Sequence, residues 1–225
     1  MRILSFDTAT ETCSVALLYD GQVIERCVEQ PQGHGTLLLR MVDEILNEAG
    51  IELTDLDALG FGRGPGGFTG VRIAVSAAQA IGFGIGLPLV PVSNLAMLAQ
   101  GLYRTQGIKY AIPALDARMG EVYIGGYEII HDLAQPVTEE QVLKPEAVIL
   151  NIDNSNWYGV GRGWVAHNAA LKMRLEPHIV AVVPELLCHA QDLLPLTAAA
   201  LTSGYTVAPE LALPVYLRNQ VIQRR

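Results

Sequence analysis

The chain has 225 residues, 15 Lys and Arg against 23 Asp and Glu, and a formal charge of −8. At ~100–200 residues per domain this length holds one large domain or two small ones, and it buries a core without disulfides or metal. The acidic balance excludes an autonomous nucleic-acid binder, because phosphate contacts need clustered Lys and Arg; RNA would have to be brought by a basic partner. Charged residues are 17% of the chain, against the ~25% usual for soluble domains. Mean hydropathy is +0.29, so part of the apolar surface is expected to lie under another chain.

Arg2–Asp7 reads as an apolar strand whose terminal carboxylate interrupts any secretory apolar run, and a cytoplasmic location is expected. Asp20-Gly21 is a two-residue hairpin turn between Cys13–Tyr19 and Gln22–Val28. Closing it with Tyr19 opposite Gln22 sets Cys13 opposite Val28 and Cys27 opposite Ser14. The two thiols then fall on different sheet faces and do not pair. With Cys188 also alone, three free cysteines fit a reducing compartment. Thr36–Asn47 places Leu38, Met41, Val42, Ile45 and Leu46 on one side of a helix. A strand at Ala58–Gly62, a glycine-rich turn, a helix from Thr69 to Gly86 and a strand at Leu89–Val92 follow. Ile73–Val92 is apolar but broken by Ser76, Gln79 and Pro88, which favours a buried helix over a membrane span of ~20 residues.

The second half has a similar order. Tyr110–Asp116 is again an apolar strand ending in aspartate, and Glu121–Ile130 reads as the next strand. Gly159-Val160-Gly161-Arg162-Gly163 echoes Gly60-Phe61-Gly62-Arg63-Gly64 with one difference, 43 residues after Asp116 where the first copy lies 53 after Asp7. The repeat predicts a duplicated βββαβα unit, with units 1–105 and 106–225, a linker at Tyr103–Lys109 and a cleft between two lobes. Pro177 and Pro184 bracket a strand at Ile179–Val183. Glu185–Ser203 reads as a closing helix that Pro195 should kink or split.

Gly62-Arg63-Gly64-Pro65-Gly66-Gly67 fits a dinucleotide-binding turn, but no acid follows between Asp57 and Asp116 to hold a ribose. It also approaches a P-loop, where Phe68 occupies the lysine position. Two readings remain: an anion held by N–H groups at a helix start near Arg63 and Arg72, or a tight turn that lets helix and sheet approach closely. Gly70, Ala74, Ala78, Gly82 and Gly86 recur every four residues and form a strip of small side chains suited to close packing. The helix that carries them is apolar all round and must be covered within the chain or by a partner. Asp7, Glu11, Asp116 and Glu121 could converge on magnesium if the halves face each other, or could accept turn N–H groups at strand ends. None of the five histidines lie three or four apart, so no metal site is expected.

Four segments resemble the TsaB (YeaZ) family, in its order. They are Ile3-Leu4-Ser5-Phe6-Asp7-Thr8-Ala9-Thr10 with Cys13–Leu17, Gly64-Pro65-Gly66-Gly67-Phe68-Thr69-Gly70-Val71-Arg72-Ile73, Leu115-Asp116-Ala117-Arg118-Met119-Gly120-Glu121-Val122-Tyr123, and Pro214-Val215-Tyr216-Leu217-Arg218. Gly67 departs from the serine usual in that family. The resemblance implies an α/β protein of the two-lobed actin-like ATPase (ASKHA, RNase H-like) fold. It implies a non-catalytic subunit for adding threonylcarbamoyl to the adenosine beside the anticodon in tRNAs reading codons that start with A. The implied partners are the transferase TsaD and the ATPase TsaE, with a homodimer when alone and tRNA met only through the complex. No cofactor is implied for the chain itself, and ATP–magnesium only in the assembly.

Carried onto this sequence, the family's dimer contact falls on Leu38, Met41, Val42, Ile45, Gly70, Ala74, Ala78, Gly82 and Gly86. A nucleotide or anion would meet Asp7, Arg63, Gly64, Gly66, Gly67 and Asp116. The competing expectations are a stand-alone ATPase or kinase using Asp7 and Asp116, and an M22-type metallopeptidase, which the missing paired histidines disfavour.

Overall fold

The computed structural model describes residues 1–30, 33–152, 156–176 and 178–218, so Pro177 lies outside the described residues. The first sheet has the order β3-β2-β1-β4-β5, with β1 at Ile3–Asp7, β2 at Thr12–Tyr19, β3 at Gln22–Glu29, β4 at Ala58–Gly62 and β5 at Leu89–Val92. β1 is buried throughout because it is central, antiparallel to β2 and parallel to β4. Asp20 and Gly21 have φ of 49° and 79°, the left-handed pair that a tight hairpin turn requires. Tyr19 faces Gln22, Cys13 faces Val28 and Ser14 faces Cys27, as the turn predicts. Helix α1 (His34–Ala49) and helix α2 (Phe68–Ile85) pack on one face of this sheet, burying Leu38, Met41, Val42, Ile45, Val71, Ala74 and Ala78 in one cluster.

The second sheet repeats the plan. Its order is β10-β7-β6-β11-β12, with β6 at Tyr110–Asp116, β7 at Val122–Ile124, β10 at Gln141–Leu143, β11 at Trp157–Val160 and β12 at Ile179–Val183. β6, β7, β10, β11 and β12 thus stand where β1, β2, β3, β4 and β5 stand in the first sheet. Two elements depart from the sequence-based reading. Glu121–Ile130 is two strands, because Gly125-Gly126 breaks it: β7 pairs with the far end of β6, and β8 (Tyr127–Ile130) pairs with its start and with β9 (Leu133–Pro136). The place of α1 is taken by a single 3-10 turn at Pro145–Ala147, and two short helices, α4 (Gly163–Ala166) and α5 (Asn168–Leu175), follow β11.

The expected linker is a helix for half its length. Helix α3 covers Asn94–Gln106, capped by Ser93, whose hydroxyl accepts the N–H groups of Leu95 and Ala96, and closed by Gly107 at φ 68°. Asn94 to Leu102 is buried on every side, so no period marks it as amphipathic. The closing helix is shorter than expected: a 3-10 turn at Ala190–Asp192 leads into α6 (Leu193–Thr202). Pro195 is the third residue of α6, where an N–H has no intrahelical acceptor, so it neither kinks nor splits the helix.

The two halves are interlocked. Helix α3, which follows the first sheet, packs on β6, β8 and β9 of the second, while α6 packs on β1, β4 and β5 of the first. The repeated arginines cross in the same reciprocal way. Arg63 pairs with Glu140, just before β10, at 3.6 Å, and Arg162 pairs with Glu29, at the end of β3, at 2.6 Å. Each copy of Gly-x-Gly-Arg-Gly therefore grips the third strand of the other half.

Candidate functional site

A cleft of about 850 Å³ opens between the turn after β1, the start of α2, the turn after β6 and the C-terminal segment around Tyr216. The aspartates that end β1 and β6 behave alike locally. Asp7 accepts the N–H of Ala9 at 3.2 Å and Asp116 that of Arg118 at 2.9 Å, the bond of an Asx turn. Beyond that they differ. Asp7 is fully buried, with its second oxygen taken by Asn94 Nδ2 at 2.8 Å. Gly62 must lack a side chain there, since a Cβ would lie 1.9 Å from Asp7 Oδ1. Burial drives the Asp7 carboxyl up to about 6, against the bonds from Asn94 and Ala9, which hold it down. Asp116 borders the cleft, pairs with Arg118 Nη1 at 3.1 Å and lies 3.5 Å from His167 Nε2.

The acids do not converge. Glu11 faces the cleft, whereas Glu121 is ion-paired to Arg218, which also donates to Ala117 O at 3.1 Å. Among the described residues no group of three His, Cys, Asp or Glu is placed to hold a metal ion. Asp7 is sealed behind Asn94, whereas Asp116 and Glu11 border the cleft, and Phe68 stands where a P-loop has its lysine.

The glycine-rich turn makes the close approach that one of its two readings requires. Gly67 N–H donates to Ala9 O at 2.7 Å and Thr8 Oγ1 donates to Gly70 O at 2.7 Å. A Cβ on Gly70 would sit 1.9 Å from Thr8 O. The glycines thus let the β1–β2 turn dock on the start of α2. Of the six residues expected to meet an anion, Gly66, Gly67 and Asp116 border the cleft and Asp7, Arg63 and Gly64 do not. Arg63 points instead to Glu140, and Gly64 exchanges hydrogen bonds with Asn94, its N–H to Oδ1 at 2.9 Å.

What does build the cleft is a clasp that the sequence did not disclose. Arg72 lies over the Phe68 ring, 3.8 Å from its centroid, and donates to Tyr216 Oη at 2.8 Å. Tyr216 stacks on Phe68 at 5.8 Å, and two residues on Arg218 holds Glu121. The C-terminal segment thus spans from α2 to the second half. Phe68 and Arg72, four apart on one helix face, were a legible half of this clasp. Nothing in the pattern tied them to residues some 145 positions away.

The expected partner surface also needs correction. Leu38, Met41, Val42, Ile45, Ala74 and Ala78 are at most 2% exposed and pack inside the chain. Gly70 meets Thr8, and Gly82 is buried where a Cβ would approach Leu89 and Pro209; only Gly86, at the helix end, is exposed. The small-residue strip lets α2 approach the sheet and the 3-10 turn at Pro209–Leu211. The outward face of α2 is different: Ser76, Ala80, Phe83 and Gly84 are exposed, Phe83 to 63%, with Ile73, Ala77 and Ile81 partly so. No charged residue occurs from Ile73 to Ile85. By length and composition alone Phe68–Ile85 could cross a bilayer, but its inner side is bound to the first sheet.

Comparison with known proteins places these features. A family model described as TsaD, tRNA N6-adenosine threonylcarbamoyltransferase, matches residues 29–222. The tRNA threonylcarbamoyladenosine biosynthesis protein TsaB of Escherichia coli (strain K12) is 44% identical, over 100% of this chain and 98% of the relative. The protein of the same name from Haemophilus influenzae is 35% identical over 100% and 97%. The solved structure of YeaZ from Pseudomonas aeruginosa superposes with a TM-score of 0.91 at 44% identity, covering 96% of this chain and 99% of that one. The two-lobed actin-like architecture, the ordered motifs and these full-length likenesses agree: the chain belongs to the TsaB (YeaZ) family.

Proposed function

We propose that this chain serves tRNA threonylcarbamoyladenosine biosynthesis as a non-catalytic subunit. It docks on TsaD through the outward faces of α1 and α2 and so lets the ATPase TsaE join; without TsaD the same face pairs two copies. The relatives named above carry that biosynthesis in their names. The observation that carries the docking role is the uncharged, exposed face of α2 around Ala80 and Phe83, a surface that water covers poorly and a partner covers well. The non-catalytic role is supported by a carboxylate, Asp7, closed off from its cleft. With a charge of −8, the chain meets tRNA only within the complex, in the cytoplasm, and any ATP–magnesium is held by other subunits.

Ala80→Glu tests this. The residue is exposed, so the isolated chain should unfold in urea as before. Placing a carboxylate in the apolar contact should weaken binding to TsaD at least tenfold, or about 1.4 kcal/mol, by titration calorimetry. Equal affinity of Ala80→Glu and Phe83→Asp for TsaD would remove the docking face. Stoichiometric binding of ATP–magnesium by the isolated chain would favour the stand-alone ATPase instead.

A further inference from the structure

The charged side chains that line the cleft are Glu11, Arg72, Asp116, Arg118 and Arg218. Asp116 pairs with Arg118 at 3.1 Å, and Arg218 with Glu121. Glu11 and Arg72 remain. Glu11 is half-buried and makes no ion pair among the described residues. Arg162, a cation whose charge reaches Glu11, is already bound to Glu29 at 2.6 Å. Among the described arginines all but Arg72 and Arg174 pair with a carboxylate, and Arg174 does not line the cleft. Arg72 is nonetheless held in place. Its guanidinium lies 3.8 Å from the Phe68 centroid and 5.9 Å from that of Tyr216, and its Nε donates to Tyr216 Oη at 2.8 Å. That bond leaves the N–H groups of its outer nitrogens without a protein acceptor among the described residues. They form the planar fork that fits a carboxylate, and a fork fixed beforehand loses little freedom when it binds one. Val71, Leu115, Ala117, Val215 and the Tyr123 ring add apolar wall. The space of about 850 Å³ lies within the ~300–1,000 Å³ usual for small-ligand sites. A wholly apolar occupant would strip water from both charges and return nothing.

We propose that the cleft binds a small zwitterion with an apolar body, a short peptide with both ends free. Its carboxylate takes the fork of Arg72, its ammonium takes Glu11, and its side chains lie on the apolar walls. Binding is non-covalent. Phe68 and Tyr216 act as positioning residues, because they hold the guanidinium plane. This goes beyond the docking role and does not depend on it.

The full-length protein is titrated by calorimetry at pH 7 with the dipeptide Leu-Phe, with its N-acetyl form and with its C-terminal amide. Leu-Phe should bind once per chain with a Kd of about 1 mM or tighter, and each blocked form at least tenfold more weakly. Glu11→Gln should bring Leu-Phe down to the affinity of the acetyl form and leave the acetyl form unchanged, a pattern that general damage to the cleft would not give. In nitrogen-15 spectra the Arg72 Nε–H signal should move with Leu-Phe and not with the amide. No saturable binding of Leu-Phe, an amide or acetyl form that binds as tightly, or Glu11→Gln without effect would each overturn the proposal. The blocked peptides need no variant and decide the matter if Glu11→Gln does not fold.

Discussion

Asp7 offers the sharpest test of how the end of β1 is packed. Its carboxyl is raised by burial from 3.8 to about 6, and at ~1.36 kcal/mol per pKa unit the charged form costs the fold about 3 kcal/mol. The folded state therefore binds this proton more tightly than the unfolded one. Stability associated with it is complete below pH 4 and is lost as pH rises through 6. Between pH 5 and pH 8 the loss amounts to about 1.4 kcal/mol by the same linkage. Asp7→Asn keeps the shape and removes the charge. One of the two acceptor positions, facing Asn94 Nδ2 and the Ala9 N–H, becomes a donor, at a pH-independent cost of ~1–3 kcal/mol. Urea unfolding followed by fluorescence of the buried Trp157 and Trp164 should show the variant gaining about 1.4 kcal/mol on the parent from pH 5 to pH 8. Parallel stability curves across that range would refute a buried, uncompensated carboxylate.

Two further outcomes follow from packing. Gly70→Ala drives a methyl into the Thr8 carbonyl, 1.9 Å away and on backbone, so it should lower stability by ~3 kcal/mol or more in the same assay. Glu140→Ala strips the acceptor from Tyr127, Ser93 and Arg63 and should cost ~2–4 kcal/mol. Glu29→Ala, at the half-exposed counterpart of that clasp, should cost less than ~1 kcal/mol in urea unfolding.

Local rules carried much of the fold. Asp20-Gly21 set the register of a whole hairpin, and the strands at Ala58–Gly62, Leu89–Val92, Tyr110–Asp116 and Ile179–Val183 stand where apolar runs and turn residues put them. The four-residue repeat of α2 was legible as a demand for close approach. A helical period alone does not say whether a sheet or a helix answers it, and here Thr8, Leu89 and Pro209 do. Helix α3 was missed because Asn94 to Leu102 are buried all round and so have no polar side to set a period. The cleft clasp was missed because Phe68 and Arg72 meet Tyr216 only through the tertiary fold. The Arg63 and Arg162 echo was visible as a repeat, but its purpose required knowing which strand each arginine reaches.

The crossed placement of α3 and α6 bears on how the molecule comes into being at the ribosome. The layer that closes over Ile3, Ala16 and their neighbours arrives with Ala190, Leu194 and Ala198, long after the first sheet has been made. An emerging amino-terminal half therefore waits with one side of its sheet bare and with a helix whose resting place has not yet been made. Neither half is a sensible truncation product, and deletion of residues 193–202 should leave an insoluble chain rather than a smaller version of the native one.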